Sequence, residues 1–162
     1  MVVVNATMED IRGWLDLAAE VETLFGPMVE DPDFTLALEK NITRQSAFCV
    51  RENNGSPGSR LLGAVLLSSS KAPNYKIGWL SVSAIERNKG VATALLNYIL
   101  ESIETPAEIF VTTFGEDHPE GQPARRFYQK FGFVPLQDKE PEGPEGGSRQ
   151  NFKLAITPKG WL

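Results

Sequence analysis

The spacing of hydrophobic positions changes several times along the chain, and each change marks an element. Val2, Val3 and Val4 form a β-branched run that predicts a short strand. Ile11, Trp14, Leu15, Ala18, Val21 and Phe25 keep helical spacing, so a helix is predicted from near Met8, with Thr7 as N-cap and Asp10 at N3, ending at Gly26-Pro27. Phe34, Ala37, Leu38 and Ile42 predict a second helix, capped by Asp31 or Asp33. Residues 47–51 and 61–68 predict an antiparallel pair joined by a loop of turn formers at 53–59. A turn at 71–74 leads into a strand at 75–83. From Gly90 a helix is predicted to about residue 103, with Val91, Leu95, Tyr98 and Ile99 on one face and Thr105-Pro106 ending it. A strand at 109–114 follows, and strand, helix, strand at this spacing is a right-handed parallel crossover. Beyond a polar loop at 115–123, Ala124, Phe127, Tyr128 and Phe131 mark the next helix, closed by Gly132. A strand begins at Phe133, residues 138–149 read as a flexible acidic excursion, and a last strand occupies 151–156.

This alternation predicts an α/β (α+β) fold, and 162 residues fit a single domain over 1–162. A hydrophobic content of 41% and a charged content of 23% are those of an ordinary globular chain. The net charge of −5 argues against a nucleic-acid partner, which calls for a basic face. Cys49 is the single cysteine and there is one histidine, so no internal disulfide and no His/Cys metal set are expected; Cys49 reads as a buried structural thiol. The first residues lack a basic region followed by a long apolar one, and the longest apolar run, 61–67, is too short to span a membrane. The expectation is a cytoplasmic protein with no membrane partner. Glu20, Glu22, Glu30, Asp31 and Asp33 cluster around the first inter-helix junction, and Glu140, Glu142 and Glu145 lie in the late loop. Both groups read as solvated surface or as a rim favouring a cationic amine.

The turn Arg87-Asn88-Lys89-Gly90-Val91-Ala92 is where chemistry is expected. It joins a buried strand to a helix that opens at glycine, which leaves backbone N–H groups facing outward and favours an anion such as a diphosphate. Arg87 and Lys89 run against the helix dipole unless they serve such a ligand, and Thr93 adds a hydroxyl. No Gly-x-x-x-x-Gly-Lys-[Ser/Thr] occurs and no Gly-x-Gly-x-x-Gly follows a strand, so neither a P-loop nor a dinucleotide site is supported.

Arg87-x-x-Gly90-x-Ala92, after a strand carrying Leu80-x-Val82, resembles the coenzyme-A diphosphate signature of the GCN5-related N-acetyltransferase (GNAT) superfamily. Further on, Ala124-Arg125-Arg126-Phe127-Tyr128-Gln129-Lys130-Phe131-Gly132-Phe133 resembles that family's second hallmark, a helix ending in Tyr-x-x-x-Gly-Phe. The resemblance implies a mixed sheet of about six to seven strands flanked by about four helices, with a splayed parallel pair forming an acyl-CoA groove. It implies acetyl-CoA as co-substrate and no metal. Leu80, Val82 and Ser83 would meet pantetheine, and Arg87, Asn88, Lys89, Gly90, Val91, Ala92 and Thr93 the diphosphate, with Phe127 and Tyr128 completing the site. Tyr128 corresponds to the family's general acid; Glu22, Glu116, Asp117 and His118 are candidates for the base. Many family members place a pantetheine-binding asparagine where this chain has Gly121. The function implied is transfer of acetyl to a primary amine of a small molecule or peptide by direct attack in a ternary complex. The alternatives are a non-catalytic acyl-CoA-binding module and an O-acyltransferase, and a homodimer is one assembly the resemblance implies.

Overall fold

The computed structural model describes residues 1–140 and 148–158, together with the backbone but not the side chains of 138–140. Seven strands form one mixed sheet: β1 (Val3–Asn5), β2 (Ala47–Arg51), β3 (Leu61–Lys71), β4 (Asn74–Val82), β5 (Ala107–Phe114), β6 (Val134–Glu140) and β7 (Arg149–Ile156), in the order β1-β2-β3-β4-β5-β7-β6. The helices are α1 (Ile11–Ala19), the single turn α2 (Glu22–Phe25), α3 (Pro32–Thr43), α4 (Val91–Ser102) and α5 (Gln122–Phe131). The predicted mixed α/β sheet is present, with β4 and β5 paired parallel.

The chain divides into two compact units. The first comprises Met1–Thr23, Pro27–Leu67 and Trp79–Ile103. All five β2 residues are buried, because the strand is covered on both faces, and such strands lose the apolar-polar alternation of a half-exposed sheet. Ala47 and Cys49 pack with Trp14, Leu17, Leu38, Ile42, Ala64 and Leu66. Phe48 faces the other way, its ring 5.2 Å from that of Tyr98 on α4. Gly63 on β3 admits this packing, since a Cβ there would fall within 3.3 Å of Val82 and closer still to Val91.

The second unit comprises Leu24–Gly26, Ser68–Gly78 and Glu104–Leu162. β5 and β7 pair antiparallel from Ala107↔Ile156 to Phe114↔Arg149. The parallel ladder of β4 on β5 covers Asn74–Ile77 with Glu108–Val111, so nine- and eight-residue strands pair over their first halves only. Ile109, Val111, Phe114, Tyr128, Phe133 and Phe152 are buried.

Three boundaries differ from expectation. The first helix is broken: a 3-10 turn (Met8–Asp10) precedes α1, and Glu20 and Val21 close onto the carbonyls of Leu17 and Ala18 three residues back before α2 begins. That closure lets Val21 turn inward against Ala18 and Met28, and with α2 it raises the helix count above the expected four. β3 runs on to Lys71, because its last residues pair although they are exposed. The expected excursion at 138–149 is partly strand, since Lys139 and Glu140 pair with Gln150 and Arg149 across β6 and β7. Glu142 and Glu145 lie outside the described residues, and no described helix is long and apolar enough to cross a membrane.

Asp10 ties the start of α1 to the sheet. It accepts the Thr7 N–H at 2.8 Å, the Arg51 guanidinium through both oxygens at 3.0 and 2.7 Å, and the Gly58 N–H at 3.2 Å, with a side chain 0% exposed. Burial pushes its carboxyl pKa up, but the hydrogen bonds from Arg51, Thr7 and Gly58 outweigh this and leave it below the ordinary value. Asp10→Ala strands a buried guanidinium and is expected to lower unfolding free energy by about 3–5 kcal/mol in urea titrations at pH 7. Because the folded pKa is depressed, the contribution is complete above the unfolded-state pKa of about 3.9 and fades as pH falls through the folded value. The gap between wild type and Asp10→Asn should therefore narrow in acid.

Candidate active site

In the first unit the segment after β4 makes a 3-10 turn (Ala84–Glu86) and then enters α4 through two left-handed residues, Asn88 at φ 63° and Gly90 at φ 87°. Gly90 is required by that backbone rather than by space, since a Cβ would meet nothing within 4 Å. The helix begins at Val91 with Gly90 as N-cap, and no side chain caps it. The first intrahelical closure is Ala94 N–H to the Gly90 carbonyl at 2.9 Å, so the N–H groups of Val91, Ala92 and Thr93 have no carbonyl one turn back. Thr93 is exposed and Ala92 half-buried, while Val91 is buried and anchors the turn.

The two cations of the turn are not equivalent. Lys89 pairs with Glu86 at 3.4 Å, whereas the exposed Arg87 side chain has no ion pair or hydrogen bond among the described residues. Glu86 also meets Arg60 at 3.4 Å, and Arg60 meets Glu52 at 3.0 Å. Ser83 is buried and fully engaged: its N–H donates to the Leu62 carbonyl at 2.8 Å, and its hydroxyl accepts from Arg60 at 2.9 Å and donates to Glu20 at 3.3 Å. Because Ser83 pairs toward β3, the peptide groups of Val82 point to the opposite edge of β4. Leu80 and Val82 are half-buried.

Glu22, a candidate base, serves the backbone instead. Its carboxylate accepts the N–H groups of Met28 at 2.7 Å and Val29 at 3.1 Å, and these bonds hold its pKa below the ordinary value. It lines an open depression of about 640 Å³ with Ala19, Pro27, Val29, Glu30 and Asp31.

In the second unit α5 carries Tyr128 into the core, 5% exposed, with ring centroids of Phe127 and Phe133 at 5.4 and 5.3 Å. Burial pushes the phenol pKa up. Arg125, which the sequence reading passed over, proves to be the polar centre of this unit. It is buried, donates to the Phe114 carbonyl at 2.9 Å and to Gln150 at 2.7 Å, and lies 5.0 Å above the Phe152 ring. The signal was present, since Arg125 lies three residues before Tyr128 on one helix face, but a cation there reads as solvated until Gln150 is seen opposite.

Glu116 is exposed and meets Arg125 at 3.7 Å. Asp117 binds the Ser148 hydroxyl at 2.7 Å. His118 stacks on Phe114 with centroids 4.6 Å apart, and its buried Nδ1 has no hydrogen-bond partner among the described residues. Gln122 donates to the carbonyls of Gly115, Glu116 and His118, fixing the loop that carries these candidates. Gly121 directly precedes Gln122, and a Cβ there would fall on the Phe114 side chain. The Phe114 side chain thus leaves no room for a larger residue at this position. Among the described residues no group of three or more His, Cys, Asp or Glu is placed to hold a metal ion. Cys49 is buried away from any site, and burial pushes its thiol up to about 12.

The strand, the uncapped helix N-terminus behind a left-handed glycine, and the later Tyr-x-x-x-Gly-Phe helix are each present. The family described as acetyltransferase (GNAT) domain matches residues 44–135, and the chain belongs to it. Similar solved structures include a GNAT-family acetyltransferase from Bacillus cereus, 17% identical, with TM-score 0.71 over 95% of this chain and 96% of that one. A ribosomal-protein-alanine N-acetyltransferase from Brucella melitensis is 12% identical, with TM-score 0.73 over 96% of this chain and 100% of that one. An N-acetyltransferase from Staphylococcus aureus is 17% identical, with TM-score 0.69 over 95% and 100%. These likenesses establish a shared fold. A sequence search of curated proteins finds no match.

Restoring the family residue by Gly121→Asn should overpack Phe114 and lower unfolding free energy by about 1–3 kcal/mol. Urea titration checks this, and coenzyme-A affinity measured alongside should not improve.

Proposed function

We propose that the protein transfers an acetyl group from acetyl-CoA to a primary amine of a small molecule or peptide, by direct attack within a ternary complex, and that it acts in the cytoplasm. The observation that carries this reading is the turn from Ser83 to Thr93. It offers three helix-start N–H groups, an uncommitted Arg87 and a glycine that leaves the approach open, which is what a diphosphate requires. The residues present therefore fit coenzyme A, which when bound supplies an activated thioester.

The chain's own groups then have separable roles. Val82, whose peptide faces away from β3, is positioned to pair with the pantetheine arm and to polarise the acyl carbonyl. Tyr128 is the proton donor to the departing thiolate; a phenol whose pKa is raised by burial stays protonated over the working pH range. Of the base candidates, Glu22 is a weak acceptor because two N–H groups already stabilise its charge, and Glu116 is shared with Arg125. His118 retains a ring nitrogen with no partner among the described residues and is our choice to take the proton that the acceptor ammonium must lose, directly or through water, before its neutral amine attacks.

Free-thiol release from acetyl-CoA across a panel of amino acids, polyamines, aminoglycosides and peptide N-termini tests the activity. A protein that binds coenzyme A but releases no thiol with any of them is a binding module instead. Arg87→Glu should weaken coenzyme-A binding by about tenfold or more by calorimetry, with an unchanged Tm. Tyr128→Phe should lower kcat by about a hundredfold while leaving coenzyme-A affinity within about twofold.

A further inference from the structure

Glu20 is out of place by the ordinary rules of helix electrostatics. It is the C-cap residue of α1, where the helix dipole favours a cation, and it brings a carboxylate to a turn that we read as an anion site. Its side chain reaches across the fold to accept the Ala84 N–H at 3.0 Å and the Ser83 hydroxyl at 3.3 Å with one oxygen, Oε1. The Ser83 hydroxyl is in turn held from its other side by Arg60 at 2.9 Å, and Arg60 extends to Glu86 at 3.4 Å. Both ends of the 3-10 turn and the residue before it are thus held from outside: Ser83 and Ala84 by Glu20, Ser83 and Glu86 by Arg60. Among the described residues the segment from Arg87 to Gly90 makes its side-chain bond back to the turn, from Lys89 to Glu86, so its path follows from where Glu86 is set and from the left-handed backbone at Asn88 and Gly90.

We propose that Glu20, backed by Arg60, is a positioning residue for donor binding: it sets the Ser83–Glu86 turn so that Arg87 and the start of α4 converge on the coenzyme diphosphate. The inference rests on the donor reading above. It predicts that geometry outweighs repulsion, because the carboxylate is retained in a site where its charge alone would oppose the ligand.

Two substitutions separate geometry from charge. Glu20→Gln keeps an acceptor oxygen for Ala84 and Ser83 and removes the charge; coenzyme-A affinity should be equal to wild type or tighter. Glu20→Ala removes both bonds, and the Kd for coenzyme A and the KM for acetyl-CoA should each rise by about tenfold. The kcat at saturating acetyl-CoA should stay within about twofold of wild type, since the turn does not touch the reacting atoms. A Glu20→Ala protein that binds coenzyme A as tightly as wild type, or more tightly, overturns the proposal, because repulsion would then be the residue's main effect. Amide hydrogen exchange supplies a reading without truncation: the Ala84 amide should be protected in wild type and in Glu20→Gln, and exchange at an unprotected rate in both refutes the clamp. Wild-type protein that binds no coenzyme A refutes the donor reading instead, and the exchange measurement still reports whether Glu20 holds the turn.

Discussion

The left-handed backbone at Asn88 and Gly90 is the constraint on which the passage from β4 into α4 depends. β4 must end, reverse its course and restart as α4 within a few residues, and the bonds that would otherwise be lost are replaced from outside the segment. Ser83 pairs with Leu62, Glu86 closes onto Ser83, and Glu20 takes the Ala84 N–H. In the first turn of α4 the N–H groups of Val91, Ala92 and Thr93 have no helical carbonyl to meet. A helix start that no side chain caps is a standing cost, and its persistence here agrees with a ligand supplying the missing acceptors.

Charge around this turn is arranged in the same sense. Glu86 engages both Arg60 and Lys89, so two of the three nearby cations are already compensated and Arg87 alone is left to an incoming anion. A single free guanidinium gives a bidentate, directional partner for phosphate rather than a diffuse positive patch. This reconciles an anion site with an acidic chain: net charge bears on non-specific partners, while one well-placed cation and a helix dipole suffice for a small ligand.

The second unit is organised around the Phe114 end of β5. Arg125 holds the Phe114 carbonyl, Arg149 lies 4.5 Å above its ring, and the rings of His118 and Phe25 pack beside it at 4.6 and 5.3 Å. Gly121 is small because this cluster leaves no room for a side chain. The loop bearing the candidate bases is therefore shaped by packing and by the Gln122 amide, and the buried Tyr128 helix follows from the same cluster through Arg125 and Phe152. Glycine at 121 is set by how this cluster fills the space.

The sequence by itself determined the strand and helical segments, the parallel crossover, the Thr7 cap, a second cap at Asp31 or Asp33, and the glycine at the start of α4, because each rests on neighbours a few residues apart whose preferences are local. The two motifs were legible for the same reason, as was the burial of Cys49. Only the tertiary structure decided which polar side chains were already spent: Glu22 on Met28 and Val29, Lys89 on Glu86, Ser83 between Arg60 and Glu20, Arg125 on Phe114 and Gln150. It also decided where α1 breaks and where β6 and β7 end, since Val21 turns toward Met28 and Glu140 pairs with Arg149. Partners far apart in the chain fix these outcomes, and hydrophobic spacing carries no record of such partners. A carboxylate or guanidinium looks the same in sequence whether it awaits a substrate or holds a backbone amide, and the difference lies in what the fold places opposite it.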